Sequence, residues 1–181
     1  MNATHVNNKS LLVYYSRPGF NWGVPGRQVN GNTKIVAQMI KSVIECDEYE
    51  IQPQIPYTED YDEISKLIRK QTAKKEVVYI AHPQRVPDIT KYNVVFIGFP
   101  IWLDTYPALL NDFFNQYDKS LWKHKDVALF CTHEGSVFGN SINDLKAHCN
   151  KDINVISKLD LIGHKASNAL PKVKEWLKTF M

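Results

Sequence analysis

Three short apolar runs, Leu11-Leu12-Val13-Tyr14-Tyr15, Val94-Val95-Phe96-Ile97-Gly98-Phe99 and Val127-Ala128-Leu129-Phe130-Cys131, constrain the fold of this chain more than any other feature. Each has the length of a strand and is apolar at consecutive positions, so both faces of each strand need cover. Around Tyr49 to Ile51, and from Ile153 to Leu161, the runs are mixed with polar residues, as in edge strands. Between the runs, apolar residues recur at helical spacing. They are Ile35, Val36, Met39, Ile40 and Val43, then Ile64, Leu67 and Ile68, then Leu109, Leu110, Phe113, Phe114 and Tyr117, then Leu170, Val173, Trp176, Leu177 and Phe180. Ile142, Leu145 and Cys149 point to a shorter helix. Pro107 and Pro171 suit first helical turns, where a missing N–H costs nothing. Strands alternating with helices imply right-handed crossovers and a parallel sheet with helices on both faces.

No repeat, low-complexity tract or second domain interrupts this pattern, so residues 1–181 are expected to form one domain. The stretch from Gln52 to Tyr92 is the least regular, and Val77-Val78-Tyr79-Ile80 within it reads as a short extra strand. Hydrophobic residues make up 44% and charged residues 23%, a globular balance. The longest apolar run, Val94 to Leu103, is about ten residues, too short to span a bilayer. Met1 to Ser10 is polar and lacks the apolar stretch of a signal peptide. The cysteines Cys46, Cys131 and Cys149 are an odd count without CxxC or Cys/His spacing. That argues against a disulfide framework and a metal site, and suits a cytoplasmic protein. A net charge of +3 on dispersed lysines and arginines argues against a nucleic-acid partner.

In a doubly wound sheet the ligand lies beyond the carboxyl ends of the strands, where the strand order switches direction. Three loops belong there. The first runs from Ser16-Arg17-Pro18-Gly19 through Asn30 to Gly31-Asn32-Thr33-Lys34, which opens a helix. Glycines and hydroxyls before a helix amino terminus make either a phosphate cradle or a flexible turn. Gly26 to Thr33 spells G-x-x-x-x-G-Asn-Thr, but Asn32 stands where a nucleotide-triphosphate loop needs lysine, and no strand directly precedes Gly26. Nor does a G-x-G-x-x-G follow the first strand, which excludes a resident nicotinamide dinucleotide. The second loop, Pro100-Ile101-Trp102-Leu103-Asp104-Thr105-Tyr106-Pro107, offers flat side chains on which a ring system can stack. The alternative for Trp102 is a cap on the core. The third, Thr132-His133-Glu134-Gly135-Ser136-Val137-Phe138-Gly139-Asn140, offers hydroxyls and glycines that permit close backbone approach. His133 and Glu134 are sequence neighbours, which makes no acid–base pair. Cys131 reads as a buried apolar residue rather than a nucleophile.

Together the loops resemble those of the flavodoxin-like flavoproteins. The resemblance lies in Leu12-Val-Tyr-Tyr-Ser-Arg followed by Gly31-Asn-Thr-Lys-Ile-Val-Ala, in Val95-Phe-Ile-Gly-Phe-Pro-Ile-Trp, and in Phe130-Cys-Thr-His-Glu-Gly-Ser with Gly139. It implies a three-layer α/β sandwich on a doubly wound, parallel, five-stranded sheet of order 2-1-3-4-5, with FMN as cofactor. It also implies that Ser16, Arg17, Asn32, Thr33 and Lys34 meet the FMN phosphate. Pro100, Ile101, Trp102 and Leu103 would line the ribityl chain and ring, with Thr132, His133, Glu134, Gly135, Ser136, Phe138 and Gly139 closing the other side. The chain departs from compact flavodoxin loops by an insert, Pro18 to Asn30, whose Phe20, Trp22, Val24 and Val29 lead us to expect that it folds over the site. Arg27, with Arg17 and Lys34, would add positive charge around the phosphate.

Two redox functions follow from this resemblance. One is an FMN-dependent oxidoreductase passing electrons from a reduced nicotinamide to a small acceptor such as a quinone. The other is a flavodoxin-type electron carrier between protein partners. A phosphoacceptor receiver on the same fold is excluded, because the strand ends read Ser16-Arg17 and Gly98-Phe99-Pro100 instead of carrying acidic residues. Only Asp104 and Glu134 are acidic in the proposed flavin loops, which favours a less reducing flavin, since carboxylates near anionic reduced FMN lower its potential.

Overall fold

In the computed structural model, which describes residues 9–180, the apolar runs become strands in the expected places. The reading of the amino terminus as free of a signal peptide falls on residues 1–8 and lies outside the described residues. The strands are β1 (Ser10–Tyr14), β2 (Asp47–Glu50), β3 (Val94–Pro100), β4 (Asp126–His133) and β5 (Asn154–Ile162). They form one parallel five-stranded sheet of order β2-β1-β3-β4-β5. The three continuous apolar runs are the central strands and the two mixed runs are the edges, as two-sided burial requires.

Side chains alternate across the pleat and make two cores. On one face Leu11, Val13, Val95, Ile97 and Phe99 pack against α3 (Leu109–Asn115) and α5 (Ser141–His148). On the other, Leu12, Tyr14 and Phe96 pack against α1 (Asn32–Val43) and α6 (Leu170–Leu177). The result is a three-layer sandwich. Gly98 is required at the sheet centre, because a Cβ there would lie 1.9 Å from Cζ of Phe130.

Three elements differ from expectation. The helix α2 (Tyr61–Lys74), capped by the Asp60 side chain on the Glu63 N–H, buries only Ile64, so its apolar stripe does not face the core. Val77 to Ile80 is not a ladder strand. Only Ile80 bridges Pro53, flanked by Gln54 N–H to Tyr79 O (2.8 Å) and Ala81 N–H to Gln52 O (2.7 Å). A short helix, α4 (Lys119–Trp122), starts at Asp118, whose carboxylate accepts from the Ser120 N–H, and seats Trp122 among Phe113, Phe114 and Tyr117.

From β1 the chain crosses outward to β2, and from β3 outward to β4. The loops leaving the carboxyl ends of β1 and β3 therefore run in opposite directions and leave a crevice between them.

Candidate functional site

A cavity of about 390 Å³ opens at that crevice. It is lined by Ser16, Arg17, Asn32, Thr33, Pro100, Ile101, Trp102, Leu103, Thr132, His133, Glu134 and Ser136 from the three loops. Lys34, Gly135, Phe138 and Gly139 are not on its wall. Phe138 is buried in the core edge-on to Phe99, and Gly135 is exposed.

Gly31 caps α1, and its extended backbone (φ −69°) suits any residue, so the glycine serves space alone. A Cβ there would lie 2.3 Å from the Arg17 carbonyl and 2.4 Å from Ser16 Oγ. Ser16 Oγ accepts the Lys34 N–H at 3.0 Å. The buried Thr33 and Thr132 hydroxyls lie 2.8 Å apart, tying the helix to the end of β4. The first N–H groups of a helix have no intrahelical acceptor, and this first turn carries no acidic residue to offset the helix dipole. Such a terminus takes an anion.

The cations expected here are largely committed elsewhere. The Arg17 guanidinium donates to the carbonyls of Thr58 (2.9 Å), Glu59 (3.1 Å) and Phe20. Lys34 Nζ pairs with Glu50 at 2.7 Å, and Arg27 makes two contacts with the Glu59 carboxylate. The physical reason is proximity: β2 and the segment before α2 bring carboxylates and carbonyls nearer than the cradle.

The second loop turns tightly. Trp102 N–H donates to Thr105 O (2.7 Å) and Thr105 N–H returns to Trp102 O (3.2 Å). Leu103 and Asp104 between them both have positive φ, 47° and 69°, the signature of a type I′ turn. Trp102 stands edge-on to Tyr15 (5.6 Å) and Tyr57 (5.3 Å) while lining the cavity, so it serves the core and the site at once. Asn140 joins the second and third loops, its N–H donating to Asp104 O (2.7 Å) and its amide to the Asp104 carboxylate (3.1 Å). Gly139, at φ 45°, lets them approach, since a Cβ there would lie 2.2 Å from Asp104 O.

His133 is buried and shapes the third loop. The Gly135 N–H donates to its Nδ1 (2.9 Å), leaving Nε2 to donate to Asp160 Oδ1 (3.3 Å). Glu134 turns to the loop after β5, its Oε1 accepting the His164 N–H (2.8 Å) and its Oε2 lying 2.6 Å from His164 Nδ1. Cys131 is fully buried, and burial pushes its thiol well above the usual range, which denies it a nucleophile's role.

Eight further residues line the cavity: Asn21, Trp22, Tyr61, Ile64, Ser65, Ile68, Arg69 and Gly163. Asn21 and Trp22 belong to the insert, which is ordered by Gly19 and Gln28 exchanging backbone hydrogen bonds (2.8 and 2.9 Å) and by Phe20 N–H to Glu59 O (2.9 Å). Trp22 leans on Tyr61 of α2, ring centroids 5.7 Å apart. The apolar residues of the insert were the one sequence signal for this wall. Among the described residues no group of three or more His, Cys, Asp or Glu is placed to hold a metal, and no helix is long and apolar enough to cross a membrane.

No curated protein sequence matches the chain. Solved structures do. A protein of Bacteroides eggerthii assigned as a flavoprotein is 28% identical, with a TM-score of 0.67 over 94% of this chain and 96% of that one. A Lactobacillus acidophilus flavoprotein in complex with FMN is 20% identical, with a TM-score of 0.62 over 93% and 98%. An NADH:FMN oxidoreductase is 13% identical, with a TM-score of 0.51 over 96% and 90%. A family model described as flavodoxin matches residues 26–180. With its strand order, its three-loop cavity and that match, the chain belongs to the flavodoxin family.

Proposed function

We propose that the cavity holds one FMN and that the protein passes electrons from a reduced nicotinamide to a small acceptor such as a quinone. One observation carries this reading: the amino terminus of α1 and the Trp102 turn open into the same 390 Å³ cavity. An anion site and an aromatic wall in one cavity of ligand size match a molecule with a phosphate at one end and a flat ring at the other. The residues fit that group, since the cradle at Gly31 has no room for a Cβ and its donors are neutral hydroxyls, amides and helix N–H groups. The FMN complex of the Lactobacillus acidophilus flavoprotein supports the cofactor, and the NADH:FMN oxidoreductase supports the electron source.

In this reading Ser16, Asn32 and Thr33 hold the phosphate, and Ser16 also caps the helix that receives it. Arg17 and Lys34 act at one remove, the first by fixing the insert and the second by holding α1 to β2. Pro100 to Leu103 line the ring, while Thr132, His133, Glu134 and Ser136 close the opposite side. Gly135, Phe138 and Gly139 shape that loop from behind. When bound, FMN supplies hydride and single-electron chemistry that no side chain of this chain can. Among the described residues Glu134 is the one carboxylate on the cavity wall, and it is held by His164, which supports a less reducing flavin. Three free cysteines support a cytoplasmic setting.

The test is anaerobic mixing of the FMN-loaded protein with NADH or NADPH, followed by a quinone. Rapid bleaching of the flavin absorbance and its return on quinone addition would support the oxidoreductase. A flavin that bleaches only with a protein reductase would leave an electron carrier.

A further inference from the structure

Two arginines line the cavity, Arg17 and Arg69, and they differ in what they hold. Arg17 is buried and commits its guanidinium to the carbonyls of Phe20, Thr58 and Glu59. Arg69, on α2, is exposed. Among the described residues its guanidinium makes no ion pair and no hydrogen bond.

The helix leaves this cation uncompensated. Side chains three and four positions apart meet on a helix, and around Arg69 these are Ser65, Lys66, Thr72 and Ala73, none of them acidic. From Lys66 to Lys74 the helix carries Lys66, Arg69, Lys70 and Lys74 and no carboxylate. Its acids, Asp62 and Glu63, stand in the first turn, where the helix dipole favours them. Lys75 and Glu76 follow the helix and are not on this wall.

The position of Arg69 gives the charge a direction. At 3.6 residues per turn Tyr61, Ile64, Ser65 and Ile68 share the face that lines the cavity, with Arg69 at its edge and the exposed Lys66 and Lys70 just beyond. The amino end of α2 belongs to the cradle side, since Arg17 holds Thr58 and Glu59 immediately before it. Arg69 lies about 12 Å along the axis from Tyr61, apart from the cradle. A basic track therefore leads out of the cavity over the edge of α2.

The chemistry of the track selects between two donors. An arginine beside a dinucleotide accommodates a 2′-phosphate, whereas an Asp or Glu that accepts the ribose 2′-hydroxyl selects the unphosphorylated form. The cavity-facing residues of α2 include no carboxylate, and Glu134 across the cavity is held by His164. A phosphate monoester carries nearly two negative charges at neutral pH and suits the guanidinium fork.

We infer that the reduced nicotinamide serving this cavity is the 2′-phosphorylated one, NADPH, and that Arg69 binds its 2′-phosphate. The choice of donor rests on the oxidoreductase reading given above; the phosphate site rests on Arg69 and its surroundings.

The test is calorimetric titration of the FMN-loaded protein with 2′,5′-ADP, which carries the 2′-phosphate without the nicotinamide, and with 5′-AMP, which lacks it. 2′,5′-ADP should bind one-to-one, about tenfold tighter than 5′-AMP, and should weaken as salt is added. Arg69→Gln should bring 2′,5′-ADP close to 5′-AMP while leaving Tm unchanged, because the side chain has no protein partner. In anaerobic mixing, NADPH should bleach the flavin at about tenfold lower concentration than NADH, and Arg69→Gln should abolish that preference. Equal affinity for the two mononucleotides, or 2′,5′-ADP binding unchanged in Arg69→Gln, overturns the inference whatever the nicotinamides do. Bleaching by NADH at the same concentration as NADPH overturns the choice of donor. A flavin that neither nicotinamide bleaches, beside Arg69-dependent binding of 2′,5′-ADP, would count against the oxidoreductase and for the phosphate site.

Discussion

The hydroxyls of Thr33 and Thr132, 99 positions apart in the chain, lie 2.8 Å from each other in the buried floor between α1 and β4. The contact ties the helix that carries the anion site to the loop that closes the cavity. Because both groups are out of water, removing one strands the other. Thr33→Val should therefore cost about 1–3 kcal/mol in urea unfolding, whereas Thr33→Val with Thr132→Val should recover most of that loss. Both variants should bind FMN more weakly, since each removes a donor from the cradle. A single variant as stable as the parent would show that the contact holds nothing together.

Gly31 separates space from conformation. Its φ of −69° is open to alanine, yet a Cβ would sit 2.3 Å from a backbone carbonyl that cannot rotate away. Gly31→Ala should displace the loop after β1 and weaken FMN binding by about 2 kcal/mol or more, within the range of overpacking. Fluorescence titration checks this, and an affinity equal to the parent would mean that the loop yields freely.

Arg17 governs the insert. Its guanidinium reaches the carbonyls of Phe20, Thr58 and Glu59 together, a fork that the single ammonium of lysine cannot reproduce. Arg17→Lys should speed proteolytic cleavage between residues 18 and 30 and quicken FMN release. Cleavage and release rates that stay at parent values would assign the ordering of the insert to Arg27 and Glu59 instead.

Alkaline stability follows from buried phenols. Burial raises Tyr57 from 10.0 to about 12, and burial followed by its hydrogen bond to Asp47 raises Tyr92 to about 12. Between pH 10 and pH 12 the unfolded chain loses these protons while the folded chain keeps them. Stability should be undiminished by these groups below pH 10 and fall steadily above it. Tyr57→Phe should flatten the decline in Tm measured across that interval, and an unaltered slope would rule Tyr57 out as a contributor.

Sheet and helices were legible in the sequence because the central strands are apolar at every position, and only a sheet covered on both faces accommodates that. The three loops were legible as strand ends opening onto helices or turns. The α2 wall was not. Its Ile64, Leu67 and Ile68 have the spacing of a core stripe, but only Ile64 is buried, and Ile68 lines the cavity instead. Spacing reveals that a face is apolar, not what fills the space beyond it. Charge was similarly opaque. Arg17, Arg27 and Lys34 lie close in sequence to the cradle, yet their partners Thr58, Glu59 and Glu50 come from segments that only folding brings near. The Glu134 contact with His164 was hidden for the same reason, since it joins the loops after β4 and β5.

The central claim is that the α1 terminus is a phosphate site feeding an aromatic-walled cavity. Quenching of flavin fluorescence, titrated in parallel with FMN and with riboflavin, tests it most directly, because the two ligands differ only in the phosphate. Two or three charge-assisted hydrogen bonds, at about 1.5–3 kcal/mol each, predict one-to-one binding of FMN at least a hundredfold tighter than riboflavin. Equal affinity for the two flavins would contradict the account.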